Sequence, residues 1–225
     1  MNNSEIIWTL IGIIFSTYFI VSFVFNKLGI QNLHKALISA NGLRLLNLKH
    51  LLGIVLFGVF SYIMMPEFRV LIETIEIAKL VVLIAFFLIL FLSAFVSYLS
   101  IQKREEIHKV HISHYSFSNA WMYFIIRFTF LLCYEFFFRG VLLFKFLNET
   151  SLFLAIFYST TFYVLIHIFD SKKEIIGAIP FGIVLCLFTY YTNSVWYAFL
   201  IHLALSSVYE ISMFYYLTLK DKIIS

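Results

Sequence analysis

Cysteine and proline are nearly absent from this chain, with two of each in 225 residues beside eight glycines. Cys133 and Cys186 both lie in apolar runs. They read as buried free thiols, which excludes a disulfide framework and a cysteine-rich zinc site. So little proline and glycine leaves no composition for disordered linkers. Charge is scarce as well: Asp, Glu, Lys and Arg are 12% of the residues, 62% are hydrophobic, and mean hydropathy is +0.96. Soluble domains run near about 25% charged and about 45–50% apolar. The chain therefore reads as an integral membrane protein rather than a soluble domain with an anchor. Its net charge of +4 comes mainly from loop lysines and speaks to membrane topology. Membrane lipids are the expected surroundings, and no nucleic-acid partner is expected.

What is present is long apolar sequence. Runs able to cross about 30 Å of hydrocarbon predict an all-α, polytopic membrane helix bundle with about seven spans. They fall at about 6–25, 50–65, 79–101, 120–147, 151–169, 175–192 and 194–219. The second is short and stopped by Pro66. Eight spans is the alternative, with residues 67–78 dipping in. A polar stretch runs from Asn26 to Lys49, a charged loop from Gln102 to Asn119, and a tail from Lys220 to Ser225. The first residues lack a basic start and a clear small-residue cleavage site, so they read as a first span rather than a signal peptide. The chain divides into helices and cytoplasmic loops over 1–114, core helices over 115–219, and a tail over 220–225.

Orientation follows from the basic residues of the loops. Lys27, Lys35, Arg44, Lys49, Lys103, Arg104, Lys109, Lys172, Lys173, Lys220 and Lys222 fall on one side. Arg69, Lys79 and Lys145 fall on the other. This alternation places the N-terminus outside and the C-terminus in the cytoplasm.

The chemistry stands out against this background. Tyr134-Glu135-Phe136-Phe137-Phe138-Arg139-Gly140 puts two charges inside an apolar helix. A carboxylate at that depth costs roughly 2.5–3.5 kcal/mol on insertion scales. Glu135 and Arg139 are four apart, share a helix face and can neutralise each other. Taken alone they fit a structural ion pair as well as a site. Two further spans carry one buried histidine each, His167 and His202. One such histidine is usually a packing residue, but two of them with Glu135 and Arg139 favour one shared pocket over separate costs. Tyr163 lies one turn before His167, and Ser206 one turn after His202, each pair on one face. A carboxylate, two imidazoles, a guanidinium and hydroxyls are the parts for water activation and oxyanion stabilisation. Glu135, His167 and His202 are also a candidate zinc set.

Three motifs in order, Tyr134-Glu135-x-x-x-Arg139, Tyr163-x-x-x-His167 and His202-x-x-x-Ser206, resemble the CPBP family of intramembrane proteases. That family includes the CAAX prenyl proteases and the bacterial Abi proteins. Its pattern is Glu-Glu-x-x-x-Arg, Phe-x-x-x-His and His-x-x-x-Asn, and the stretch from Pro180-Phe181-Gly182 to Thr192-Asn193-Ser194 resembles its Gly-rich penultimate span. The resemblance covers about residues 115 to 210. It implies an intramembrane endopeptidase acting on a membrane-associated or lipidated peptide, in a bacterial plasma membrane, with Glu135, His167, His202 and Ser206 catalytic and Arg139, Tyr134 and Tyr163 supporting.

Two positions depart from the pattern. Tyr134 stands where the family has the water-activating Glu, and Ser206 where it has the oxyanion Asn. Three readings follow: a protease in which Glu135 works as base with His167; a catalytically impaired pseudo-protease that binds or regulates a membrane partner; and a zinc hydrolase, with Arg139 competing for the metal's carboxylate. Asp170, Glu174 and Glu210 read as lying at helix ends or two turns from the site. Arg127 is expected to snorkel or line the cavity. His108, His111 and His114 read as a solvated interfacial face, with a metal patch as the alternative. Trp8, Trp121 and Trp196 read as interface anchors. Helix lengths put His167 near the inner end of its span but His202 near the outer end of its own, so their meeting requires the last helix to begin deeper or the His167 helix to continue past Asp170.

Overall fold

A computed structural model of the chain describes residues 3–39, 41–102 and 117–218. Its elements are helices, with no strand among the described residues. Helix α1 spans Asn3–Lys27 and the short α2 Leu33–Ile38. Helix α3 runs on through Gly42–Gly53, a π-helical stretch Ile54–Phe60, and Ser61–Met64. Helix α4 spans Leu80–Gln102. Helix α5 is continuous through Phe117–Glu135, the π-helical Phe136–Leu142, and Leu143–Leu147. Helix α6 spans Leu152–Ile166 and ends in a 3₁₀ turn, His167–Phe169. Helices α7 and α8 span Lys172–Thr192 and Val195–Thr218.

Six helices are long and apolar enough to cross a membrane: Ser4–Lys27, Gly42–Met64, Leu80–Gln102, Leu152–Phe169, Lys172–Thr192 and Val195–Tyr216. They answer to six of the seven expected spans. The remaining one, at 117–147, is α5, which carries four charged side chains, Arg127, Glu135, Arg139 and Lys145. The bundle is an integral membrane protein in which α5 carries the most charged side chains and the other helices are greasy outward. Phe91, Leu88 and Val81 of α4 are mostly exposed, as side chains facing lipid tails would be.

The second span is longer than expected. It begins at Gly42 rather than near residue 50, so Arg44 and Lys49 lie on helix α3 itself. No proline or charge run interrupts 42–64, and a helix satisfies every backbone group where water is absent. Two glycines let α3 approach α5 closely. A Cβ on Gly58 would sit 2.3 Å from Cys133 Sγ, and one on Gly53 2.3 Å from Phe130 Cε2. Small residues at crossings are how membrane helices gain packing without a hydrophobic drive. Phe57 then stacks into the ring cluster of Phe130, Tyr134, Phe137 and Phe138.

Residues 66–78 do not form a crossing helix. Pro66–Phe68 makes a 3₁₀ turn and Val70–Glu73 one helical turn. Arg69 donates to the last carbonyls of α3, at Tyr62 (2.6 Å) and Ile63 (3.2 Å), which the helix end leaves without partners. The segment then lies over the start of α8. Trp196 Nε1 donates to Ile72 O at 2.7 Å, Ser194 Oγ to Thr74 O at 3.1 Å, and Tyr197 Oη to Glu76 O at 2.8 Å. Val195 and Ala198 are wholly buried as a result. Helix α8 thus starts beneath a cover. Trp196 is a clamp on that cover, and Trp8 donates to Glu149 (2.9 and 3.0 Å); neither indole is merely an interface anchor.

Candidate active site

The site is built around α5. Glu135 ends its α-helical part, and the π-helical turn begins at the next residue. A π turn leaves extra backbone groups to satisfy and recurs at functional sites. Here Ser159 Oγ of α6 donates to the Phe138 carbonyl at 2.9 Å. Helix α7 comes close behind at Gly182, where a Cβ would lie 3.1 Å from Thr160 Cγ2 and 3.3 Å from Tyr163 Cδ1.

Glu135 and Arg139 are wholly buried. Glu135 Oε1 lies 2.5 Å from His202 Nδ1 of α8, and Oε2 lies 3.4 Å from Arg139 Nε. An ionised carboxylate accepts only, so the His202 Nδ1 carries the proton and its Nε2 is the free acceptor of the neutral ring. The guanidinium carbon of Arg139 sits 4.3 Å from the centre of the Tyr163 ring, a cation–π contact. Tyr134 stands between the histidines, its ring centre 6.4 Å from that of His167 and 6.3 Å from that of His202. Tyr163 packs on His167 at 4.8 Å and on Tyr134 at 5.7 Å. The structure thus brings Tyr134, Glu135, Arg139, Tyr163, His167 and His202 together. Ser206 is buried one turn beyond His202 on α8. It makes no hydrogen bond to the others among the described residues.

Many polar atoms of this cluster have no partner. Buried without a hydrogen bond are Tyr134 Oη, Glu135 Oε2, the Nε, Nη1 and Nη2 of Arg139, Thr160 Oγ1 and His167 Nε2. Each such group costs about 1–3 kcal/mol, more when charged. Gathered at one place, they form a site shaped for a polar guest. Metal is a poor fit for that guest. Glu135 already faces His202 with one oxygen and Arg139 with the other. Among the described residues no group of three or more His, Cys, Asp or Glu side chains is placed to hold a metal ion.

Reading the residues alone missed two partners. Asp170 contacts the site after all, its Oδ2 2.7 Å from His167 Nδ1; the three-residue spacing His167-x-x-Asp170 was the signal. Arg127 is held by a carboxylate. Its Nε donates to Glu210 Oε1 at 2.8 Å, and Tyr123 Oη donates to Glu210 Oε2 at 2.8 Å. The signal here was a repeated interval: Arg127 precedes Glu135 by the same eight residues that separate His202 from Glu210. On two antiparallel helices, equal intervals place both pairs in register. Residues His108, His111 and His114 lie outside the described residues. A separate cavity of about 350 Å³, lined by Glu67, Leu71, Thr74, Asn148 and Asn193, opens by the covering segment, away from this cluster.

A buried carboxylate and guanidinium beside two imidazoles, inside a bundle of apolar helices, define a polytopic membrane protein with a polar centre. Residues 116–208 match the model of the Rce1-like family, described as type II CAAX prenyl endopeptidase Rce1-like, in line with the CPBP resemblance read from the three motifs. The matched segment holds all seven residues singled out in the sequence. No curated protein and no solved structure matches the chain.

Proposed function

We propose that the chain is an intramembrane endopeptidase that hydrolyses a membrane-associated, lipid-bearing peptide with a histidine-activated water. The observation that carries this is the set of unpartnered polar atoms on Tyr134, Glu135, Arg139 and His167. A peptide bond and a water supply the groups that would complete them. An imidazole Nε2 takes a proton from water, and the hydroxide adds to the scissile carbonyl carbon. Tyr134 Oη and the Arg139 N–H groups are the donors for the oxyanion. The imidazole then returns the proton to the leaving nitrogen as the C–N bond breaks. Donors of this kind are worth about 10²–10³-fold in rate, and proton transfer about 10²–10⁴-fold. Glu135 holds His202 in its tautomer, and Ser206 lines the same helix face. The prenylated substrate is suggested by the family's description. The basic loops suggest a cytoplasmic C-terminus.

The second reading is a pseudo-protease that binds such a peptide without cutting it. Tyr134 favours it: a buried phenol occupies the position of the family's water-activating Glu, and a neutral phenol is a poor base. Purified chain in liposomes, given a fluorogenic peptide bearing a prenylated cysteine, separates the two. The endopeptidase reading expects chelator-insensitive cleavage by the native chain and its loss in Glu135→Gln. Binding with no cleavage, and cleavage gained on Tyr134→Glu with Ser206→Asn, would establish the pseudo-protease instead.

A further inference from the structure

We infer that Asp170 is a positioning residue that fixes His167 as the proton acceptor of the site; this rests on the endopeptidase reading above. The geometry is that of a built device. Helix α6 stops at Ile166, and the 3₁₀ turn His167–Phe169 folds the chain back. Asp170 N donates to His167 O at 2.9 Å and closes that turn. The next residue, Ser171, caps α7 with its side chain and is capped in return by Glu174. Phe169 is held between Phe19 and Phe23 of α1, at 5.1 and 5.8 Å. Asp170 is therefore pinned from both sides, with its carboxylate 2.7 Å from His167 Nδ1.

The consequence is chemical. A carboxylate accepts, so Nδ1 is the protonated nitrogen and Nε2 carries the lone pair. That Nε2 is buried and without a partner, on a ring packed against Tyr134 and Tyr163. The open end of the ring faces Asp170, and the buried end faces the site. Without Asp170 the commoner alternative tautomer, protonated at Nε2, would present a donor where the reaction needs an acceptor. His202 is fixed in the same sense by Glu135, so the two histidines approach Tyr134 as two carboxylate–imidazole pairs from opposite helices. The Glu135 pair lies wholly inside, whereas Asp170 and His167 are each about a quarter exposed, at 23% and 25%. The Asp170 pair is thus the one that reaches the surface of the bundle.

The test reads the tautomer directly. Chain labelled with ¹⁵N-histidine, in micelles, is examined by imidazole ¹⁵N resonances, with His167 assigned by their loss in His167→Gln. The native chain should show His167 protonated at Nδ1 and unprotonated at Nε2. In Asp170→Asn the amide can donate to Nδ1, and protonation should move to Nε2, with kcat lowered about 10²–10⁴-fold and KM and melting temperature little changed. A native His167 protonated at Nε2, or an Asp170→Asn that shifts neither tautomer nor kcat, would overturn the assignment. The native spectrum decides the point even if the variant fails to fold. Absence of cleavage in every chain, native included, would sink the endopeptidase reading and leave the tautomer result standing on its own.

Discussion

Two buried polar clusters sit on the same pair of helices, two turns apart, and they differ in one respect. Arg127, Glu210 and Tyr123 satisfy one another, and none of their buried polar atoms lacks a partner. Glu135, Arg139, His202, His167 and Tyr134 hold the same kinds of groups and leave several atoms unmatched. The first cluster has the economy of a structural clasp. The second maintains a cost that packing alone does not require. Proteins keep such costs where a ligand or a reaction removes them. The contrast also divides helix α5: one end holds α5 to α8, and the middle, at the π turn, carries the unmatched cluster.

The sharpest way to break this comparison is through activity. His202→Ala removes a proton-transfer group and should lower kcat by about 10²–10⁴-fold, measured as prenyl-peptide cleavage in liposomes. Tyr123→Phe should leave kcat within about threefold, since its hydroxyl serves Glu210 only. Stability should divide the other way. Arg127→Met strands Glu210 and should cost about 3–5 kcal/mol, read as a lowered melting temperature in detergent. Arg139→Met breaks no hydrogen bond but removes the ion-pair partner 3.4 Å from Glu135 Oε2, leaving that carboxylate on His202. It should cost clearly less than Arg127→Met, and equal losses would erase the distinction between clasp and site.

Packing predicts a smaller effect. Gly58→Ala forces a Cβ against Cys133 Sγ, and overpacking of this kind costs about 1–3 kcal/mol. The companion change Cys133→Ala should recover part of it, in the same melting assay.

The smallest effect concerns pH. Outside the spans, Glu149 accepts from Lys145 Nζ at 2.8 Å, from Ser4 Oγ at 2.7 Å and from Trp8. These hydrogen bonds, Lys145 first, lower its pKa from 4.5 to about 2. A lowered folded pKa means stability that is fully present above about 4.5 and lost as pH falls toward about 2. The group is exposed, so the change is small. The native chain should lose melting temperature over that window, relative to Glu149→Gln, while the two run parallel at higher pH.

How much of this was legible in the chain differs by level. Helices and spans follow from apolar runs because the bilayer leaves the backbone no alternative. The cover at 66–78 does not, because its hold on α8 comes from Trp196, Ser194 and Tyr197 reaching carbonyls about 120 residues away. Glu135, Arg139 and the two histidines were visible as charges in apolar sequence. Asp170 was not, since a carboxylate at a helix end looks solvated until the 3₁₀ turn folds it under His167. Arg127 and Glu210 were concealed for a related reason: each alone looks like a boundary residue, and the antiparallel register makes them a pair.

One paired measurement tests the central claim, that the unmatched cluster is the reaction centre and the matched one a clasp. Cleavage rate and melting temperature are recorded together, in the same liposome-derived preparations, for the native chain, His202→Ala and Arg127→Met with Glu210→Gln. The account predicts that His202→Ala loses cleavage with a smaller fall in melting temperature than the double variant, which cleaves near the native rate at a temperature where it is folded. Cleavage that survives in His202→Ala, or that vanishes in the folded double variant, would contradict it.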